Sequence, residues 1–194
     1  WTLLVQSVDH HLPAAARLLA AFDFLPRARL DDVMVSYAAP GGSVGPHFDS
    51  YDVFLLQGQG RRRWQISAQT ELDLIDGAPL KLLRRFKAEE EWVLEPGDML
   101  YLPPNYAHHG VAEDACMTWS IGFRAPTAQE LGQAFLARLA DTLELDGRYA
   151  DPGLKLPAHP AALDPAMLKQ IGAMLKNIRW DADDVADFVG EYLS

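Results

Sequence analysis

Cysteine is all but missing from this chain: Cys116 stands alone among 194 residues. One thiol cannot close an internal disulfide, which excludes disulfide-stapled scaffolds and fits a reducing compartment. Set in the apolar run Ala-Cys-Met-Thr-Trp, it reads as a core residue. Long hydrophobic runs are missing too. No stretch approaches the roughly 18 apolar residues that cross a bilayer, and no signal-peptide pattern precedes the first element, so no membrane partner is expected. Positive charge is scarce: 17 Lys and Arg against 27 Asp and Glu leave a net charge of −10. Such a chain does not coat nucleic acid non-specifically, and no direct nucleic-acid binding is expected. There are no internal repeats and no low-complexity tracts. The chain opens at Trp1, inside what reads as an element, and is expected to be a piece of a longer protein.

What is present is a globular composition, 49% hydrophobic and 23% charged, in a chain long enough to bury a substantial core as one domain, or as one domain with a small appendage. Residues 2–8 read as a strand and 12–25 as an amphipathic helix with Pro13 in its first turn. The segment 33–38 is β-rich and leads into the turn region Ala-Pro-Gly-Gly-Ser-Val-Gly-Pro. Residues 52–57 and 62–67 flank Gly-Gln-Gly as a hairpin. Further strands are expected at 91–95, 99–103 and, after a polar loop, 116–123. Short strands between Gly, Pro and Asp turns point to a barrel or sandwich. The texture changes at Pro126. Thr127-Ala-Gln-Glu130 is a capping box for a helix carrying Leu131, Phe135, Leu139 and Leu143, ended by Gly147. Asp164-Pro165 and Asp181 open two more helices, and a proline-rich connector (148–163) precedes them.

Chemistry concentrates in Gly-Pro-His47-Phe-Asp49. Alternate residues of a strand share a face, so His47 and Asp49 point together: two corners of a metal site. The third ligand must come from His10, His11, His108, His109 or His159. His10 and His11 start a helix and read as surface residues, and His159 lies in the connector. Gly97-Asp-Met-Leu-Tyr-Leu-Pro103-Pro-Asn105-Tyr-Ala-His108 resembles the second motif of the cupin superfamily, with Asn105 where glycine is usual; asparagine tolerates positive φ. Gly41 to His47 and Asp49 fits the first motif. The spacing selects His108 over His109. Two histidines and one carboxylate form the facial triad of non-haem iron(II) oxygenases and leave three coordination positions open. A structural zinc site takes four ligands, often sulfur, and no such set exists here. The plainer reading of His47 and Asp49 is a hydrogen-bonded core pair.

Oxygen activation at such iron needs electrons, often from 2-oxoglutarate, whose distal carboxylate would lie buried in the barrel and need a cation. Arg61-Arg62-Arg63 offers one, since arginine grips carboxylates with paired hydrogen bonds. Arg62 shares a face with Trp64 and Ile66, so Arg62 is the expected anchor and its neighbours are solvated strand charges. Three arginines could also form a nucleic-acid patch, against which the acidic balance argues.

The segments HFDSYDVFLLQGQGRRRW, LEPGDMLYLPP with its following histidine, and WSIGFRAP resemble the bacterial JmjC-type ribosomal oxygenases along nearly the whole chain. The resemblance implies a mainly β double-stranded β-helix (a cupin/JmjC jelly roll) with a flanking helix over 1–125. It implies a helical dimerisation region over 126–194, with an N-terminal lead-in and a C-terminal winged-helix region outside this piece. It assigns His47, Asp49 and His108 to Fe(II), and Arg62 and Ser120 to 2-oxoglutarate, with O2 as second cosubstrate. It points to Asp32, Met34 and Tyr51 as substrate walls, where a carboxylate suits a guanidinium and Met34 and Tyr51 suit its methylenes and plane. The implied enzyme is a cytoplasmic, homodimeric dioxygenase. It hydroxylates the β-carbon of an arginine in large-subunit ribosomal protein L sixteen and releases succinate and CO2. Two other readings remain: a histidyl hydroxylase of another ribosomal protein, and a non-catalytic cupin binding module. The module has no need of a cation inside the barrel, so the placement of Arg62 separates it from an oxygenase.

Overall fold

The computed structural model describes residues 1–78, 80–150, 155, 159 and 161–193. Among them the chain forms eight strands and four α-helices, divided into two compact units, Trp1–Ala125 and Pro126–Ser194.

The first unit holds two antiparallel sheets of a cupin-like fold. The five-stranded sheet runs β1 (Thr2–Val5), β2 (Leu30–Ala38), β8 (Cys116–Phe123), β3 (Val53–Gln59), β6 (Met99–Leu102). The three-stranded sheet runs β5 (Glu90–Leu94), β4 (Arg62–Ser67), β7 (Ala107–Ala112). Period-two alternation divides each strand between two environments. Val33 of β2 with Ile121 and Phe123 of β8 meets Ala15 and Phe22 on the helical side, beside Val8 and Leu30. That side is closed by α1 (Pro13–Ala20). A second core, Val53, Leu55, Trp64, Ile66 and Leu102, joins the two sheets. The remaining inward residues line a cavity.

Several sequence expectations needed correction. The strand at 2–8 stops at Val5, because Ser7 turns left-handed (φ 53) and a 3-10 turn follows at Val8–His10. His10 therefore sits in that turn, ahead of α1, although it and His11 are exposed as expected. The helix over 12–25 ends at Ala20 and continues as turns. Segments 52–57 and 62–67 are strands, but they form no hairpin: β3 pairs with β6 and β8, β4 with β5 and β7. Gly-Gln-Gly is a corner between sheets. Gly60 takes φ +60 there, and a Cβ on it would stand 2.3 Å from the Ala115 carbonyl oxygen. The Gln57 amide donates to the carbonyls of Gln59 and Gly60, and the Arg61 N–H donates to Asp114. The corner is thus tied to the 113–115 turn. The polar loop expected before residue 116 contains β7, whose sequence Ala-His-His-Gly-Val-Ala lacks an apolar alternation.

In the second unit, α2 (Ala128–Thr142) begins at the Thr127–Glu130 capping box and ends before Gly147. Asp164 caps α3 (Pro165–Leu175), and Asp181 caps α4 (Ala182–Tyr192) in a second capping box with Asp184. Phe135 packs edge-on against Trp180 and Phe188, and Arg138 of α2 pairs with Glu191 of α4. Half of the proline-rich connector, residues 151–154, 156–158 and 160, lies outside the described residues.

Candidate metal centre and its cavity

His47 and Asp49 do not belong to a strand. They sit on a loop stitched to the segment carrying His108 by three backbone bonds. The N–H of His47 donates to the His108 carbonyl (2.9 Å), the N–H of His108 to the His47 carbonyl (2.8 Å), and the N–H of Asn105 to the Asp49 carbonyl (2.7 Å). Asn105 adopts φ 62, the left-handed conformation its motif position demands. This lacing brings one ligand atom each from His47, Asp49 and His108 within 4.8 Å of one another. The imidazole rings lie 4.2 Å apart, and His108 Nε2 is 3.7 Å from Asp49 Oδ2.

Both rings are aimed the same way. Nδ1 of His47 faces the Gly45 carbonyl at 2.9 Å, and Nδ1 of His108 faces the Tyr106 carbonyl at 2.9 Å. With the proton on Nδ1, each Nε2 is left as a free lone pair for a metal, the carbonyl fixing tautomer and orientation. Burial, then the neighbouring His47, pushes the pKa of His108 down to about 4, against the opposing pull of the Tyr106 carbonyl and Asp49. His108 is therefore neutral near pH 7, the form a metal takes. His109 points to the other side of β7, half-buried and edge-on to Phe86. Its pKa is lowered too, by burial first and His47 second.

A cavity of about 480 Å³ opens onto this triad. All eight residues expected at the site line it. Arg62 is 6% exposed, as its alternation with Trp64 and Ile66 requires. Its Nη1 donates to Ser36 Oγ (3.0 Å) and its Nε to Cys116 Sγ (3.4 Å), while Nη2, equally buried, has no partner. Ser120 is buried on β8, opposite Met34 of β2 in the ladder. Asp32, Met34 and Ser36 line the cavity from one face of β2. Asp32 already accepts a 2.7 Å bond from the Ser7 N–H on Oδ2. Tyr51 is 39% exposed. Its phenol is pushed up to about 12 by burial and then by Asp49, Asp32 and Asp31, so it stays protonated.

Among the lining residues that the sequence does not single out are Ser36 and Asp31. Ser36 looks like any strand serine, yet it lies two residues beyond Met34 on the same face, and that spacing was the available signal. Asp31 reaches the cavity because the β2–β8 register slips between Leu30 and Val33, which no local pattern reveals.

A family model described as JmjC domain matches residues 17–131. The chain is 40% identical over 203 aligned residues to the ribosomal protein uL16 3-hydroxylase of Escherichia coli, an alignment covering all of this chain and 52% of that one. It is 42% identical over 164 residues to a Haemophilus influenzae protein named Probable ribosomal oxygenase, covering 80% of this chain and 37% of that one. Among solved structures it resembles YcfD, a ribosomal oxygenase from E. coli, in complex with cobalt and 2-oxoglutarate. That match has TM-score 0.76 and 38% identity, covering 100% of this chain and 51% of the other. The chain spans about half the length, or less, of these relatives.

Proposed function

This chain belongs to the JmjC-domain family, and on that premise we propose that it carries the active site of an Fe(II)- and 2-oxoglutarate-dependent protein hydroxylase. Its substrate in this reading is an arginine side chain of large-subunit ribosomal protein uL16, hydroxylated at the β-carbon. One observation carries the reading. A buried guanidinium with an unpartnered N–H lines the same cavity as two histidines and a carboxylate in metal-binding array. A binding module has no use for that combination, whereas a metal-chelated keto acid with a distal carboxylate uses all of it.

His47, Asp49 and His108 would hold the iron on one face. Two imidazoles and one carboxylate are a donor set that suits Fe(II) and keeps three positions open. When bound, iron with 2-oxoglutarate and O2 supplies the oxidant for an unactivated C–H bond, and 2-oxoglutarate leaves as succinate and CO2. The protein contributes position. Arg62 would pair with the distal carboxylate, with the Ser36 hydroxyl bracing the guanidinium and Ser120 adding a donor. Asp32 and Asp31 give the cavity a negative wall that suits a cationic side chain. Tyr51, kept protonated by burial first and by its acidic neighbours second, and Met34 would pack against its plane and methylenes.

The helical unit is the proposed dimerisation region. Its α2 and α3 bury no residue completely, and Leu136, Leu168 and Leu175 are more than half exposed. In this reading the reaction takes place in the cytoplasm, where ribosomal proteins are made.

The test is mass spectrometry of a uL16 peptide incubated with the protein, iron(II), 2-oxoglutarate and air. Gain of one oxygen on an arginine, lost when 2-oxoglutarate is omitted, is the expected result. Succinate without peptide oxidation would keep the oxygenase and reject the substrate, turning attention to a histidine target. Neither product, from protein shown to hold iron, would favour the binding module.

A further inference from the structure

Among the described residues, three buried side-chain polar atoms lack a hydrogen-bond partner: Thr2 Oγ1, Arg62 Nη2 and Trp64 Nε1. Two of these belong to residues that line the cavity, two positions apart on one face of β4. Buried donors are nearly always satisfied, and each exception calls for a cause. From this pairing we infer that Trp64 is a second donor to the carboxylate that Arg62 anchors, a ligand-positioning residue of the site. The inference rests on the reading of this cavity as a dicarboxylate site.

The geometry favours a shared acceptor. The Arg62 guanidinium carbon stands over the Trp64 ring, 5.7 Å from its centroid, so the two residues with unsatisfied donors are direct neighbours. The His108 ring lies 5.9 Å from the same indole, so Trp64 neighbours both a metal-ligand candidate and the anion anchor. The indole is held in place. Its six-membered ring lies against Gly110 of β7, where a Cβ would come within 2.8 Å of it, so side-chain bulk there would displace the ring. Indole N–H can donate but not accept. The partner it lacks is therefore an acceptor, which fits an anion and excludes a cation. Arginine and indole also differ in what they offer: the first supplies charge, the second a neutral directional donor on an apolar ring that packs against the methylenes between two carboxylates.

The experiment titrates succinate and 2-oxoglutarate into protein loaded with zinc(II), a diamagnetic stand-in for iron, following indole N–H resonances by NMR and affinity by calorimetry. One of the five tryptophan signals is expected to move with ligand occupancy and to be missing in Trp64→Phe. That variant keeps an aromatic ring without the donor. Its affinity for both dicarboxylates should fall about tenfold to a hundredfold, the factor carried by a hydrogen bond to a charged group, with zinc affinity unchanged. If Trp64→Phe does not fold, substitution of the other four tryptophans assigns the moving signal by elimination. The inference is overturned if Trp64→Phe binds as the parent does, if the moving signal belongs to another tryptophan, or if succinate binds and no indole signal moves. Failure of the parent itself to bind either dicarboxylate would overturn the dicarboxylate site and this inference with it.

Discussion

Replacing Arg62 with methionine is expected to stabilise the ligand-free protein while abolishing its response to 2-oxoglutarate. Among the described residues the guanidinium meets the Ser36 hydroxyl, the Cys116 sulfur and the face of Trp64, with no carboxylate partner and with Nη2 unsatisfied. A buried charge in that state costs several kcal/mol, and replacing buried ionic groups by apolar ones of similar volume has stabilised proteins by about 1–4 kcal/mol. Stranding the Ser36 hydroxyl takes back about 1 kcal/mol. The net gain is therefore about 0–3 kcal/mol, or at most roughly 12 °C in Tm for a chain of this size. The ligand side runs the other way. Leaving the distal carboxylate without its cation costs about 3–5 kcal/mol, a loss of roughly a hundredfold to several thousandfold in affinity. The assay is thermal melting in zinc(II), with and without 2-oxoglutarate at about 100 times the parent Kd, where binding adds about 2.7 kcal/mol to the parent. The parent should melt higher with ligand; Arg62→Met should melt higher than the parent without ligand and ignore its addition. A variant destabilised by more than about 2 kcal/mol, or one still stabilised by ligand, would refute the argument that this cation waits for an anion.

Three further outcomes are expected. His108→Ala should abolish iron-dependent succinate formation, whereas His109→Ala, whose ring lies across β7 from the triad, should stay within about tenfold of the parent, the mild end of losses near a metal; the reverse ranking would reassign the ligand. Asp32→Asn keeps an acceptor for the Ser7 N–H but loses the charge, so kcat/KM for the peptide should fall about tenfold to a hundredfold with little change in peptide-independent succinate release; equal losses would make Asp32 structural. In metal-free protein, His108 titrates at about 4, below its ordinary 6.5. The unfolded chain therefore takes up the proton first as pH falls, so this contribution is complete above about pH 6.5 and is lost on the way down to about 4. It amounts to about 3 kcal/mol, and urea midpoints for His108→Gln should fall less steeply over that window; parallel curves would remove the effect.

The sequence by itself determined what short-range physics controls. Strand boundaries at 62–67 and 116–123, the helix starts at Thr127, Asp164 and Asp181, and the left-handed turn at Asn105 each depend on a few neighbouring residues: alternation, a capping side chain, a tolerated φ. Arg62's burial followed from the same alternation. Motif spacing brought His47, Asp49 and His108 together on paper, although the reason offered, a shared strand face, was wrong. Backbone bonds between two distant loops align them. Only the tertiary structure decided which strands pair. Gly-Gln-Gly punctuates a hairpin and an inter-sheet corner alike, and the choice depends on partners more than 20 residues away. It also decided that Ala107–Ala112 is a strand, because those residues are buried by the site they build and not by an apolar pattern of their own. The slip in β2 that admits Asp31, the bracing of Arg62 by Ser36, and the unpartnered N–H groups of Arg62 and Trp64 arise where side chains from separate segments converge. Such convergence is a property of packing, and no local stretch of sequence encodes it.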